Sequence, residues 1–558
     1  MSVTSTSSAA SAPTPLALSG HPRRWTILGV LVVSLLVVVL DNTVLNVALR
    51  TIADPVRGLG ASQSDLEWAI NSYTLVFAGL LFTWGVLGDR VGRRRMLLAG
   101  LVMFGLASLA SAYAQNSGQL IGARALMGIG GAAVLPATLS IISNVFDPRE
   151  RGKAIGVWAG SVGLGVAIGP VVGGALLEHF WWGSVFLINV PIVVVGVIAI
   201  ALIVPESRDP KPGRLDLVGV GLSIVGLIGL VYGIIAGGDH GFGDVRSWAS
   251  LAGGVAVLVG FVWWERSITY PSLDVRLFRD PRFAAATGAV ATVFFAAMGT
   301  LFFMSFYLQL VRGYSPLETG LLFTPFAVAQ LVFAPRSAAM VRRFGPKAVC
   351  AVGLSLVAIA LVGLATLNES TPVWLLGAYF FVQGVGMANV MPPVTESIMA
   401  SLPREKAGVG SAVSNTVRQV SGALGVAVLG SVLSAVYRSR IGEHLGGLPV
   451  AQRATAGNSI SATYGSAADL AAHGQTGVAG ALTRAGDTAF VGAMHWAAWG
   501  SVVVALLGVA IVARWLPARS APLAVATGPA TTGSSNAADD LDREAADLAD
   551  TAEELAEV

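Results

Sequence analysis

Four charged residues of this chain lie where charge is costly. Asp41 sits inside an apolar run that begins near Trp25, and Arg124, Glu396 and Arg418 sit inside later apolar runs. A charge inside a run of about 20 apolar residues, the length a bilayer demands, costs about 2.5–3.5 kcal/mol on insertion scales, so it faces a cavity or a partner. A carboxylate that alternately holds a proton and a cation couples the movement of one to the other. Asp41 is the first candidate for that chemistry and is expected to line a cavity. The structural alternative is a helix-to-helix cluster with Asn42 and Asn46. Arg124 reaches about the same depth from the same side, so the two are expected to pair, either as a coupling device or as a static brace. Glu396, in Pro392-Pro393-Val394-Thr395-Glu396, and Arg418 lie toward the inner ends of their runs. They are expected to pair across the second half of the chain, as a second proton or cation site or as an internal salt bridge. Glu67 and Asp65, at the outer mouth of the second run, read as solvated loop charge.

The elements that hold these groups are membrane spans. The 558 residues are 54% hydrophobic and 12% charged, with a mean hydropathy of +0.71, against about 25% charged in soluble proteins. Runs long enough to cross a bilayer are placed near 25–47, 66–87, 96–114, 119–144, 154–177, 184–204, 215–236, 248–265, 283–311, 318–341, 347–367, 373–400, 408–437 and 488–514. Every second loop is basic, for example Arg90, Arg93, Arg94 and Arg95, or Arg342, Arg343 and Lys347. By the positive-inside rule these loops and both termini face the cytoplasm. The run after His21-Pro22-Arg23-Arg24 has no convincing cleavage site and reads as an uncleaved first span. The formal charge of +3 hides an acidic stretch, since residues 539–557 carry nine carboxylates and Arg543. Leu541, Leu548 and Leu555 are spaced by seven there, and a solvated tail is expected.

Two loops echo one another. Asp89-Arg90-Val91-Gly92-Arg93 follows the second run and Arg342-Arg343-Phe344-Gly345-Pro346-Lys347 the tenth. Internal repeats of this kind build alternating-access transporters. Five units are expected: a tail at 1–24, a six-helix bundle at 25–204, a linker with two extra spans at 205–282, a second bundle at 283–515 that includes an outer loop at 438–487, and a tail at 516–558. No task is assigned to that outer loop.

The motifs are ordered along the chain. Leu40-Asp41-Asn42-Thr43-Val44-Leu45-Asn46-Val47-Ala48-Leu49 lies in the first run, and Gly85-Val86-Leu87-Gly88-Asp89-Arg90-Val91-Gly92-Arg93 closes the second. Arg124 is followed by Gly128, Gly130 and Gly131. The fifth run reads Gly165-x-x-x-Gly169-Pro170-x-x-Gly173-Gly174, and the sixth holds Phe186-Leu187-Ile188-Asn189-Val190-Pro191. Together these resemble the fourteen-span drug:proton antiporters of the major facilitator superfamily, from about residue 25 to 515. Three positions depart from the pattern: Arg50 replaces a usual proline, Gly183-Ser184 replace Arg-Trp, and Asn415 stands where relatives often carry Asp.

The resemblance implies an all-α membrane fold of two six-helix bundles with two inserted helices. It also implies proton-driven export of hydrophobic, often cationic compounds, with Arg124 taking part in proton transfer. Gly85, Gly88, Asp89, Arg90 and Gly92 would form a gate, with Asp89 accepting hydrogen bonds from the N-terminus of a neighbouring helix. Gly165, Gly169, Pro170, Gly173 and Gly174 would pack and bend the interface between bundles. Trp68, Tyr73, Trp158, Phe295, Phe302, Phe303, Phe306, Tyr307 and Tyr379 offer faces for a lipophilic cation, about a third of them in the cavity given the pull of lipid on aromatics.

No phosphate-cradling Gly-x-x-x-x-Gly-Lys-Ser/Thr is present, and the single Cys350 permits no disulfide within the chain. An enzyme, a cofactor, a metal and a nucleic-acid partner are therefore not expected. The expected partners are protons, a small hydrophobic or cationic substrate and lipid, around a monomer in the cytoplasmic membrane. Two other readings stay open: a dedicated exporter of one natural product, and a non-transporting sensor on a transporter scaffold.

Overall fold

The computed structural model describes residues 21–208, 215–241, 243–269, 271, 273–401, 407–446, 453 and 455–517. The expected tails at 1–24 and 516–558, apart from residues 21–24, 516 and 517, lie outside the described residues, as does part of the 438–487 loop. Every regular element among the described residues is helical. With no water in a bilayer core, each backbone N–H and C=O must be satisfied inside its own segment, and a helix does this.

The first half comprises α1 (Arg24–Ala53), α2 (Gln63–Val91), α3 (Arg93–Ala112), α4 (Ser117–Val145), α5 (Pro148–His179) and α6 (Ser184–Ile203). Then come α7 (Leu217–His240) and α8 (Val245–Ser267). The second half holds α9 (Pro281–Val311), α10 (Pro316–Leu322 and Thr324–Phe344), α11 (Pro346–Leu364), α12 (Val373–Ala400), α13 (Ala407–Gly442), α14 (Ile460–Ala472) and α15 (Thr476–Trp515). Among the described residues twelve helices are long and apolar enough to cross a membrane, or thirteen counting α2, which bends by 53° between Leu81 and Thr83. The fourteen spans read from the sequence exceed what this test establishes.

Local chemistry sets the helix starts. Ser62 and Asp65 form a reciprocal capping box at α2, Ser315 and Glu318 another at α10, and Asn116 caps α4. The two echoed loops use one device: Gly92 (φ 125°) and Gly345 (φ 82°) each turn the chain between antiparallel helices in a conformation that side chains with a Cβ rarely adopt.

Helices α1–α6 pack among themselves, chiefly α2 and α3 on α4 and α1 on α5 and α6. Helices α9–α13 and α15 do likewise, chiefly α9 on α13 and α15, α11 on α12 and α10 on α12. The pair α7 and α8 pack on each other, and α7 also touches α2 and α13.

The two bundles meet at the end marked by Pro55. The Ser305 hydroxyl donates to the Asn46 carbonyl, and Gln309 Nε2 to the Val47 carbonyl at 2.9 Å. On the other side of the bundle, α5 and the start of α10 touch backbone to backbone. A methyl group on Gly174 would overlap Pro316 and Leu317, and one on Gly320 would overlap the Pro170 carbonyl.

The segment to which the sequence assigned no task folds back over this end. Helix α14 lies against the loop after α1, with Gly465 beside Pro55. At 1.5 Å per residue, α15 is about 60 Å long, twice the hydrocarbon core, and Asp487 stands about 42 Å from Trp515, clear of the membrane. The Tyr464 hydroxyl lies 2.8 Å from Asp487 Oδ1 and 2.9 Å from the Leu310 carbonyl. One phenolic proton serves one acceptor at a time, so a proton on Asp487 lets both contacts form. Burial pushes the Asp487 carboxyl up to about 6, with the Tyr464 bond opposing and Glu369 adding to the rise.

A raised carboxyl means that docking is strongest below the ordinary value of 3.8 and weakens as pH climbs through about 6. Hydrogen exchange in residues 460–472, corrected for intrinsic rates, is therefore expected to be several-fold faster at neutral pH than near pH 4. Asp487→Asn should remove the difference; an unchanged pH profile in that variant would refute the assignment.

Candidate functional site

Arg124 reaches Asp41 because α4 comes unusually close to α2. A methyl group on Gly128 would overlap the Tyr73 backbone, and one on Gly131 would crowd the Tyr73 hydroxyl. With both glycines on the face of Arg124, α4 settles onto Tyr73 and the guanidinium extends over it.

Arg124 Nη1 donates to Asp41 Oδ2, and Nε donates to the Ala69 carbonyl at 3.0 Å. The guanidinium lies 4.4 Å from the centre of the Tyr73 ring, a cation–π contact. The second carboxylate oxygen of Asp41 accepts from Asn189 Nδ2 at 3.1 Å, and Asn189 also meets Ser108 Oγ at 3.1 Å. Ser108 in turn donates to the Phe186 carbonyl, and Asn42 Nδ2 donates to the Tyr73 hydroxyl at 3.1 Å. Asp41 is 2% and Arg124 1% exposed.

The pair is thus assembled from α1, α2, α3, α4 and α6. Asp41 does not line an open cavity here, contrary to the sequence expectation, because Arg124 and Asn189 occupy both of its oxygens. Asn189 entered the sequence reading only as part of the sixth-run motif, with no role given to it, and Ser108 did not enter it. Their signal was a polar side chain inside an apolar span.

The second expected pair does not form. Glu396 is exposed on α12. Arg418 instead lies 4.7 Å from the Phe294 ring centre and donates to Asn415 Oδ1 at 3.3 Å. An aromatic face and an amide take the place of the carboxylate, and the partner is the residue that departs from the family pattern.

The gate residues also differ from expectation. Asp89 pairs with Arg93 at 2.9 Å, one turn on. The acid that meets a helix N-terminus is Glu206, just beyond α6, which accepts from the Arg94 backbone N–H at 3.1 Å and lies 3.7 Å from Arg95. Gly92 makes room for it, since a Cβ there would collide with the Glu206 carboxylate. Gly85 and Gly88 face Pro136 and Met96, and Arg90 is exposed.

Of the fifth-span motif, Gly165 packs on Leu36 and Val39, Gly169 on Thr43 and Gly173 on Val44, all on α1 of the same bundle. Gly174, Pro170 and the intervening Val171 meet the other bundle, through α10. Between α5 and α10 lies an apolar cleft of about 260 Å³, lined by Ile168, Val171, Thr324, Ala327, Val328 and Leu331. Of the aromatic candidates, Tyr73 joins the Asp41 network, Trp158 donates to Thr138 at 3.2 Å, and Phe302, Phe303, Phe306 and Tyr307 are buried in the core.

Glu67 departs most from its reading. It is 1% exposed, faces α13 and has one carboxylate oxygen without a hydrogen-bond partner.

Residues 31–426 match the model of the Major Facilitator Superfamily. The chain is 37% identical to the multidrug efflux pump LfrA of Mycolicibacterium smegmatis, over 82% of this chain and 90% of that protein. It is 35% identical to the tetracenomycin C resistance and export protein of Streptomyces glaucescens, over 75% and 77%. With the methyl viologen resistance protein SmvA of Salmonella typhimurium it shares 36% over 75% and 84%. Among solved structures, a bacterial homologue of the human lysosomal transporter Spinster superposes with a TM-score of 0.63 at 18% identity, over 90% of this chain and all of that one.

Removing one member of a buried ion pair leaves an uncompensated charge. Asp41→Asn and Arg124→Gln are each expected to lower the thermal midpoint of the purified protein by several degrees. The double variant should recover most of the loss, a coupling of about 1–3 kcal/mol. Strictly additive losses would show that the pair is not a unit.

Proposed function

The chain belongs to the Major Facilitator Superfamily, and from that premise we propose that it is a proton-driven exporter of hydrophobic, cationic drugs and toxic compounds. It is a multi-pass membrane protein, and the proposed site of action is the cytoplasmic membrane. Loop charge supports placing the Arg93 end in the cytoplasm and the Pro55 end outside. With that placement the seam at the Pro55 end closes the pathway to the outside, which supports reading this arrangement as outward-closed.

The observation that carries the proposal is the enclosed Asp41, held by a cation and an amide from other helices of its own bundle. Such an acid changes its environment when the bundle moves. When Arg124 withdraws, Asp41 has lost its counter-charge and a proton replaces it. When Arg124 returns, the proton is released. Drug binding drives the cycle only through its different affinity for the two protonation states. The apolar cleft between α5 and α10 suits a substrate that arrives from the membrane.

Similarity to an export protein for a single compound supports a second reading, in which one natural product is the substrate.

Inside-out vesicles carrying the wild-type chain should show proton movement when ethidium or methyl viologen is added. Asp41→Asn should fall to the background of empty vesicles, and Arg124→Lys, which keeps charge but not the fork, should be strongly impaired. An undiminished response in Asp41→Asn would remove Asp41 from the proton path. No response to any cation, with protection against one natural product, would establish the second reading.

A further inference from the structure

Glu67 lies on the first turns of α2, at the seam with α13. A methyl group on Gly430 of α13 would overlap its carboxylate, so the acid occupies the space left by that glycine. Its side chain is buried and one oxygen has no donor. It belongs to no ion pair among those found in the described residues. The charges acting on it from neighbouring helices are Asp239 of α7 and Arg438 of α13, which pair with each other at 3.4 Å.

Of the other titratable groups on helices packed against α2, Arg50 of α1 is acted on by Asp54 and Tyr464, Tyr232 of α7 lies 6.2 Å from Trp68 between ring centres, and the rest are engaged or remote. Asp41 of α1 and Arg124 of α4 are bonded together, and the Tyr437 hydroxyl of α13 is bonded to Thr463. Arg440 lies against Gly492 of α15, and Arg418 against Phe294. Arg93, Arg94 and Arg95 of α3 lie at the opposite end of the helix. His240 ends α7 beside Asp239. Gln63, one turn before Glu67, is an amide.

An ionised carboxylate held in this way has Gln63 as its neighbouring amide donor but no cation in contact, since Arg438 is paired with Asp239, and keeps one buried oxygen without a donor, an arrangement that folded proteins avoid. We propose that Glu67 is a proton-binding latch of the outer seam: it carries a proton while α2 and α13 are closed on each other and releases it to the outer medium when they part. The released species is a proton on one carboxylate oxygen, and water takes it. Linkage then runs both ways. Outer protons favour closure, the step that returns the carrier toward the cytoplasm. The proposal rests on the alternating-access reading above, and it needs neither a drug nor Asp41.

Ser434 of α13 lines the same seam as Gln63 and is 5% exposed, whereas Val56 is 90% exposed in the adjoining loop. In full-length protein with Cys350→Ala, reconstituted into liposomes, a membrane-impermeant maleimide reports seam opening at Ser434→Cys. The same reaction at Val56→Cys corrects for thiol chemistry. The corrected rate is expected to rise several-fold as the outer pH goes from about 5 to about 8, a range above the ordinary glutamate value of about 4.3. Glu67→Gln should label slowly at every pH, and Glu67→Asp should keep a rise. A flat wild-type profile, a flat Glu67→Asp profile or an unaltered profile in Glu67→Gln would each overturn the proposal. Failure of ethidium-driven proton movement with this profile intact would instead overturn the proposed function and leave the latch standing.

Discussion

A charge pair enclosed inside one bundle is the constraint that organises this molecule. Desolvating a carboxylate and a guanidinium is recovered only when geometry and additional hydrogen bonds are good. Five helices are therefore held in register around Asp41 and Arg124. The glycines of α4 bring the cation to the right height, Tyr73 supplies a ring face beneath it, and the Ala69 carbonyl accepts from Nε. Asn189 and Ser108 tie α6 and α3 to the same point. While Arg124 and Asp41 are bonded the bundle is held in register, because an internal slip would expose a charge; a proton on Asp41 removes that penalty.

That rigidity makes the seam between bundles the place where motion is absorbed. The seam combines close backbone approaches with apolar packing, Leu75 of α2 sharing a buried cluster with Ala423 and Ala427 of α13. Gly174 and Gly320 bring α5 and α10 to backbone contact, Gly430 receives Glu67, and two hydrogen bonds to carbonyls of α1 complete the closure. The helix pair over the Pro55 end adds a tether whose strength follows the protonation of Asp487.

Much of this was legible in the residues. Apolar runs of bilayer length locate the helices to within a few residues in most cases, because a bilayer leaves the backbone no alternative. The depth of Asp41 and Arg124 along their runs was enough to bring them together. The sequence failed where a partner comes from a distant helix. Glu67 sits at a helix start next to Asp65 and looked solvated, since nothing local announces that Gly430, more than three hundred residues on, faces it. Glu206 took the role assigned to Asp89 because the chain after α6 returns to the start of α3. Glu396 and Arg418 looked complementary in charge, but Phe294 and Asn415 already engage the cation. The outer segment, rich in Ala, Gly and Ser, showed no span-like signal. Its docking runs through Tyr464 and Asp487, which the sequence placed in a long loop and the structure places on α14 and α15.

The central claim is that one buried acid exchanges its proton in step with substrate. Binding of ethidium to the purified protein in weakly buffered detergent solution, followed with a pH indicator, measures that exchange without a membrane gradient. Proton release is expected to grow with bound ethidium in the wild type and to disappear in Asp41→Asn while ethidium still binds. Ethidium binding with no proton release in the wild type, or release that persists in Asp41→Asn, would contradict it.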